Sequence, residues 1–274
     1  MITFPNAKIN IGLAVTGKRP DGFHTIETVM VPVKMNDILE IIVSPNKDFS
    51  FSFSGIPLPG HYTENLVFKA YQLMQKDFNL PEVHIHLHKI IPPGAGLGGG
   101  SSDAAFALKL LNQLFNLGLP ESSMKDYAVK IGSDCTFFIQ NQTALATGKG
   151  EILELMNIDL DNHSVVIVKP DIHISTAMAY SWIKPAVPKS PLAQLIKLPV
   201  NEWKGNLIND FEPEVIRRFP IIREIRDQLY EKGAAYSSFT GSGAAVYGLF
   251  EKDTNPDLNF PGCFVWSDQA TTEF

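Results

Sequence analysis

Cysteine is scarce. Cys135 and Cys263 are the two in a chain of 274 residues, too few for a disulfide framework, and a reducing, cytoplasmic setting is expected. Long apolar runs are missing as well. None reaches the roughly 18 residues that a membrane-spanning helix needs, so no membrane association is expected. Basic residues are in deficit, with 23 Lys and Arg against 29 Asp and Glu, a formal net charge of −6. That balance argues against a general binder of nucleic acid or of membrane surfaces. The opening Met1-Ile2-Thr3-Phe4-Pro5 has neither a basic n-region nor an apolar h-region, so no secretory signal is read there. There is no internal repeat and no low-complexity tract, and the length suits one large or two modest domains.

Glycine, by contrast, is concentrated. Five glycines fall within the seven positions Gly94 to Gly100, inside Pro92-Pro93-Gly94-Ala95-Gly96-Leu97-Gly98-Gly99-Gly100-Ser101-Ser102-Asp103. The apolar stretch Ala104 to Leu114 follows and reads as a buried helix. A side-chain-free loop opening onto a helix N-terminus presents unpaired amides and a positive dipole end, which suits phosphate. A plain glycine-rich connection is the alternative. Gly94-x-Gly96-x-x-Gly99 formally matches the dinucleotide fingerprint. However, Pro92-Pro93 precede it, and the acid at the right distance, Glu121, lies in a helix-start signal. Gly12-x-x-x-x-Gly17-Lys18 falls short of a Walker A loop, because Arg19 stands where Ser or Thr belongs. The protein-kinase motif set is missing.

Periodicity outlines the rest. Ile9, Ile11, Leu13 and Val15 alternate with Lys8, Asn10, Gly12 and Ala14, a strand that puts Lys8 and Asn10 on one face. Strands are predicted at 25–33, 38–43, 49–53, 83–87, 165–168, 235–239, 245–250 and 264–266, with a hairpin over 144–155. Helices are predicted at 65–78, 104–114, 121–131, 176–182 and 221–231. Strands and helices are mixed rather than strictly alternating, which favours α+β. The polar, acidic stretch 157–163 places a domain boundary there, giving domains of residues 1–157 and 158–274.

Several residues carry possible chemistry. Asp134 lies between the turn Gly132-Ser133 and an apolar run, suiting either a general base or a cap. Lys8 is a cation in an apolar strand, facing either a pocket with Asn10 or water. Thr240-Gly241-Ser242-Gly243 is a second small-residue loop, a close approach to ligand or a tight turn. His84, His86 and His88 share a strand face, and with no acid or cysteine beside them they read as solvent-facing rather than metal-ligating. His24 and the aromatics Phe23 and Tyr180 are candidate ligand contacts.

Together these segments resemble one family. Pro5-Asn6-Ala7-Lys8-Ile9-Asn10-Ile11-Gly12-Leu13 and Gly17-Lys18-Arg19-Pro20-Asp21-Gly22-Phe23-His24 are similar to the N-terminal signature of the 4-diphosphocytidyl-2-C-methyl-D-erythritol kinase family. The glycine loop and Thr240-Gly241-Ser242-Gly243 resemble motifs of the wider GHMP kinase superfamily. The resemblance implies a two-domain α+β GHMP kinase fold, with a ribosomal protein S5 domain 2-like N-terminal domain, a ferredoxin-like C-terminal domain and the active site between them. It implies transfer of the ATP γ-phosphoryl group to the 2-hydroxyl of 4-diphosphocytidyl-2-C-methyl-D-erythritol, a step of non-mevalonate isoprenoid precursor synthesis. The implied catalytic pair is Asp134 and Lys8. Residues Pro92 to Ser102, with Asn65 and Lys89, would bind ATP. Asn10, Phe23, His24, Tyr180, Thr240, Gly241 and Ser242 would bind substrate, with the cytosine between Phe23 and Tyr180. Magnesium would ride mainly on the nucleotide phosphates, touching Ser101, with no dedicated protein metal site. The chain departs from the pattern at Asn6, at Phe23 in place of a common Tyr, and at Cys135-Thr136, where relatives carry an aliphatic-Pro pair. A GHMP kinase for homoserine or mevalonate, or a non-catalytic nucleotide-binding relative, is the alternative.

Overall fold

Alternating apolar residues at the N-terminus fold into long paired strands in the computed structural model, which describes residues 1–269. The short β1 (Ile2–Thr3) precedes β2 (Asn6–Lys18) and β3 (His24–Asn36). The turn joining the long strands is closed by the Arg19 N–H on the Phe23 carbonyl at 2.8 Å, where the Pro-Asp-Gly signal lies. By spatial contact the chain divides into two units interleaved in sequence, residues 1–8, 34–93 and 98–142 in the first and residues 9–33, 94–97 and 143 onward in the second. The single boundary expected at 157/158 has a different form from this division, because β2 and β3 each change unit along their length. Residues 270–274 of the expected C-terminal domain lie outside the described residues.

In the first unit, β4 (Ile38–Val43), β5 (Ser50–Gly55) and β6 (Val83–Lys89) join β1 in a sheet of order β1-β4-β6-β5. β5 and β6 are parallel. Their connection runs through α1 (Leu66–Phe78), as a parallel pair requires. The period of two buries Val83, Ile85, Leu87 and Lys89 and leaves His84, His86 and His88 half-buried on the other face. There the histidines meet neighbouring strands. Ser52 and Ser54 hydroxyls lie 2.8 and 2.9 Å from the two ring nitrogens of His86, Ser54 lies 2.8 Å from His88, and His84 lies 3.1 Å from Asp48. α2 (Gly99–Leu114) packs on α1, on α3 (Glu121–Ile131) and on α4 (Cys135–Gln140). Its buried Ala104, Ala105 and Ala107 let neighbours approach closely. The helix begins at Gly99, earlier than its apolar pattern indicates, because the glycines themselves supply the first turn.

The second unit holds a sheet of order β2-β3-β7-β8, with β7 (Ala144–Thr147) and β8 (Ile152–Leu155) as the expected hairpin. A further sheet of order β10-β11-β9-β12 contains β9 (His163–Pro170), β10 (Tyr236–Phe239), β11 (Val246–Glu251) and β12 (Cys263–Ser267). Between these strands in sequence lie α5 (Thr176–Ser181), α6 (Leu192–Leu195), α7 (Glu212–Arg218) and α8 (Ile221–Glu231). One core joins Leu13, Val15 and Ile26 to Val166, Val168, Phe211, Ile225 and Phe250. Helices α4, α6 and α7 have no counterpart in the sequence reading; at seven residues or fewer, each spans no more than about two turns of the 3.6-residue period.

Asn209, 1% exposed, organises the loop after β10. Its Nδ2 donates to the carbonyls of Phe239 and Gly241, each at 3.0 Å, and its Oδ1 accepts from the Phe211 N–H at 3.0 Å. Asn209→Ala would leave buried backbone groups without partners, each costing about 1–3 kcal/mol. A loss of about 3 kcal/mol in urea unfolding is expected, and an unchanged midpoint would show that water satisfies these groups.

Candidate active site

The glycine loop is shaped by close approaches that a side chain would block. Gly96 (φ +77°) sits where a Cβ would run into the Thr240 carbonyl. Gly98 (φ +71°) would place a Cβ 3.0 Å from the Lys8 Cγ and from the Phe138 ring. Both φ values lie in the left-handed region that glycine adopts without strain. Gly98 is also the N-cap of α2 and offers no side chain to the first-turn amides, so those donors remain available to an anion. Beside them the Ser102 hydroxyl is buried without a hydrogen-bond partner. A bare helix N-terminus, a backbone cradle and an orphaned hydroxyl together fit a polyphosphate chain.

In the same unit, Lys8 is 3% exposed within β2, so its water-facing alternative is set aside. Its Nζ lies 3.6 Å from Asp134 Oδ2. Burial lowers the Lys8 pKa, and Asp134 opposes that shift through its charge and a hydrogen bond. Asp134 occupies the N-cap position of α4, yet its side chain accepts no capping hydrogen bond. Its carboxylate is 34% exposed, open to solvent on one side and held by a buried ammonium on the other. The Asp134 turn lacks the proline of relatives, but the Thr136 hydroxyl donates to the Ser133 carbonyl at 2.7 Å and fastens it. The neighbouring Cys135 thiol is pushed up to about 12, chiefly by burial, with a Ser101 hydrogen bond opposing. It stays protonated and takes no nucleophilic part at neutral pH.

Lys89, expected among the nucleotide contacts, is instead engaged within the protein. Its ammonium pairs with Asp37 and, at 2.7 Å, with Asp103 of α2. Asp37 Oδ1 accepts from the N–H groups of Ile90 and Ile91 at 2.6 and 2.9 Å. The Asp37 N–H donates to the Pro5 carbonyl at 2.8 Å, three residues before Lys8. One buried cluster therefore ties both flanks of the glycine loop, residues 89–91 and 103, to the chain leading into Lys8. The charge of Lys89, a residue expected in the nucleotide-binding segment, is thus matched within the protein. Asn65 caps α1, its Oδ1 accepting from the Val67 N–H at 2.9 Å, and the next residue, Leu66, lies against Gly100.

In the second unit, Thr240 is the hub. Its hydroxyl accepts from the Asn10 N–H at 3.0 Å and donates to the Gly96 carbonyl at 3.3 Å. The Ala245 N–H reaches the Ala95 carbonyl at 3.1 Å. Asn10 Nδ2 donates to Thr28 at 3.1 Å. Ser242 lies 3.2 Å from the Thr176 hydroxyl. Thus Asn10, Gly96, Thr240 and Gly241 are brought together by backbone and hydroxyl contacts. The aromatic residues make contacts of their own within the protein. Tyr180 stacks on His24, with ring centroids 4.7 Å apart and planes 19° apart, and is edge-on to Phe211. Phe23 is 55% exposed and lies beneath the Lys149 ammonium, 4.8 Å from its ring centroid. The His24 pKa is lowered by burial first and by Lys18 second, which keeps the imidazole neutral at pH 7. Among the described residues, no group of three or more His, Cys, Asp or Glu side chains is placed to hold a metal ion.

Sequence reasoning missed Asp37, Asp103 and Asn209. One available signal was the phase of Lys89, which falls in step with Val83, Ile85 and Leu87 and is therefore inward; a buried ammonium demands a carboxylate.

Residues 65–149 match the family model for the GHMP kinases N terminal domain, and residues 192–258 match that for the GHMP kinases C terminal domain. With the glycine loop opening onto α2, these define a GHMP kinase with its two-domain α+β fold. The chain is 51% identical over 263 residues to the 4-diphosphocytidyl-2-C-methyl-D-erythritol kinase of Bacteroides thetaiotaomicron, covering 95% of this chain and 96% of that protein. A crystal structure of 4-(cytidine 5'-diphospho)-2C-methyl-D-erythritol kinase superimposes with a TM-score of 0.76 at 29% identity, covering 91% of this chain and 90% of that one. Mevalonate kinase of Methanococcus jannaschii, at 13% identity and a TM-score of 0.69 over 97% of both chains, shares the fold. The chain belongs to the 4-diphosphocytidyl-2-C-methyl-D-erythritol kinase family. No described helix is long and apolar enough to cross a membrane.

The buried cluster makes stability depend on pH. The Asp103 carboxyl is raised to about 7, mainly by burial, with Lys89 opposing and Asp37 adding. An acid whose folded pKa exceeds its unfolded value favours the protonated fold. Its contribution is complete below the ordinary carboxylate range and is lost as pH rises through about 7. The melting temperature is expected to fall as pH rises from about 4 to about 7 and to level off above that. Asp103→Asn, which keeps a donor toward Asp37 without a charge, is expected to flatten that slope in calorimetry. An unaltered slope would exclude Asp103 as its source.

Proposed function

We propose that this protein transfers the γ-phosphoryl group of ATP to the 2-hydroxyl of 4-diphosphocytidyl-2-C-methyl-D-erythritol. The observation that carries the reading is the Lys8–Asp134 pair set against the phosphate cradle: the Lys8 stem abuts Gly98, and its ammonium meets a half-exposed carboxylate. Phosphoryl transfer asks a protein mainly for positioning and for charge placed where it develops. Asp134 accepts the proton of the attacking hydroxyl. Lys8 holds the Asp134 carboxylate in orientation and offsets negative charge on the group in transit. The amides at the start of α2, around Gly99 to Ser101, donate to the β- and γ-phosphate oxygens, and the buried Ser102 hydroxyl gains the partner it lacks in the protein alone. Magnesium, carried on the nucleotide phosphates, supplies further charge neutralisation when bound. Loop residues Pro92 to Leu97, with Asn65, complete the nucleotide site. Asn10, Phe23, His24, Tyr180, Thr240, Gly241 and Ser242 bind the second substrate. The His24–Tyr180 stack offers an aromatic surface for a pyrimidine, and exposed Phe23 offers another.

A coupled ADP-release assay with magnesium-ATP tests the reading, with 4-diphosphocytidyl-2-C-methyl-D-erythritol, homoserine and mevalonate offered in parallel. Turnover with the cytidylyl substrate alone is expected. Turnover with another alcohol instead would retain the kinase chemistry and overturn the substrate. Asp134→Asn is expected to bind ATP normally and to lower kcat by at least about 10²-fold, the lower range for loss of a general base. A near-normal rate would remove Asp134 from that role.

A further inference from the structure

Lys109, on α2, is a half-buried lysine that the preceding assignment leaves unused. Its ammonium donates to the Phe138 carbonyl of α4 at 2.7 Å and stands 4.8 Å from the Phe106 ring centroid. Burial pushes the Lys109 pKa down to about 8, with Glu121 opposing, and Glu121 is paired with Lys125 at 3.0 Å. A cation is thus drawn out of water toward a neutral carbonyl, a costly placement. The carbonyl it meets is four residues beyond Asp134. α4 has six residues, too few to be stable by propensity, and the last carbonyls of a helix lack partners within it. Lys109 supplies one, through a charge-assisted bond of the stronger kind. A second tie lies at the same end of α4: the Asn141 side-chain amide donates to Asn6 Oδ1 at 2.7 Å, two residues before Lys8. The Phe138 ring is fully buried and lies against Gly98 at the start of α2, where the Lys8 stem also abuts. Phe138 is therefore gripped by α2 twice, through its carbonyl at the middle of that helix and through its ring at the beginning.

We propose that Lys109 is a positioning residue for phosphoryl transfer: by fastening the C-terminal end of α4 to α2, it fixes Asp134, at the other end of α4, relative to Lys8 and to the amides that begin α2. The inference rests on the assignment of Asp134 as the base. A six-residue helix is about 9 Å long, and its internal hydrogen bonds carry a displacement of one end to the other. The Asp134 side chain accepts no capping bond from the amides of α4, so its placement depends on where the helix as a whole sits. Lys109 bonds to Phe138 rather than to the Lys8–Asp134 pair, and it acts on the reaction only through α4. Its effect belongs in kcat, because a shifted base slows proton removal and leaves both substrates bound as before.

Lys109→Met keeps the stem and removes the donor, and Lys109→Arg restores a charged donor. Both are compared with wild type in the coupled ADP-release assay, alone and combined with Asp134→Asn. Lys109→Met is expected to lower kcat by about 10- to 100-fold, the range for a misplaced reacting group. KM for ATP and for the cytidylyl substrate should stay within about twofold of wild type, and Lys109→Arg should recover most of the rate. In the Asp134→Asn background, Lys109→Met should change kcat by less than about twofold, since misplacing a base that is already gone costs nothing further. An unchanged kcat in Lys109→Met, a rise in KM with kcat intact, or the same fold-loss in both backgrounds would overturn the proposal and leave Lys109 as a stability contact. Should Lys109→Met fail to melt cooperatively, Lys109→Gln, which retains an uncharged donor, is read by the same criteria. A near-normal rate in Asp134→Asn alone would instead overturn the base assignment on which the proposal depends.

Discussion

Three ionisable groups shut away from water fix both flanks of the glycine loop. Asp37, Lys89 and Asp103 are each 3% exposed or less, and removing charges from water costs several kcal/mol apiece unless geometry compensates. Here it does. The ammonium meets both carboxylates, and Asp37 accepts two further backbone N–H groups from the loop entry. Burial pulls the Lys89 pKa down, yet Asp103 and Asp37 outweigh it and leave the pKa raised. The same arithmetic keeps Asp103 willing to hold a proton, because one cation cannot neutralise two carboxylates. Glycine gives the loop freedom to curl around an anion, and the cluster removes that freedom from its flanks. A loop left flexible would lose entropy on every binding event, and fixing its ends lowers that cost.

The second unit meets a similar need with neutral groups. Its Thr240–Gly241 loop is held by Asn209 from one side and by the Asn10 N–H from another, and Thr240 passes a hydrogen bond to the Gly96 carbonyl. Each group is buried and each is satisfied, the condition under which a polar network rigidifies rather than weakens a core. Elements far apart in sequence thereby set the backbone of the glycine loop's central residues without contributing a charge. In the same unit the His24–Tyr180 stack and the Phe23–Lys149 pair present aromatic surface and positive charge.

Much of this was legible in the residues alone. Period-two alternation marked β2, β4 and β6, and the run Ala104 to Leu114 marked α2. The Lys8 segment, the glycine run and the Thr-Gly-Ser-Gly loop pointed to the superfamily without any coordinate. Illegible were the partners of buried charges. Asp37 lies 52 residues from Lys89, and nothing local distinguishes it from a solvated turn acid after a strand. Asn209 reads as an ordinary loop asparagine, and only the carbonyls converging on it reveal its work. The short helices α4, α6 and α7 escaped because their stability comes from packing rather than from pattern.

The sequence by itself determined the types of group on offer: glycines where backbone must approach closely, a lysine and an aspartate able to share a proton-transfer task, aromatics beside a tight turn. Local sterics and hydrogen-bonding capacity belong to the residues and need no tertiary context. Tertiary structure alone decided which lysine does what. Lys8, Lys89 and Lys149 carry the same ammonium, yet one sits 3.6 Å from a half-exposed carboxylate, one is enclosed by two buried carboxylates, and one stands over a ring. An ammonium's behaviour is set by its dielectric surroundings and its nearest charges, and those are supplied by residues that folding, not sequence order, brings close.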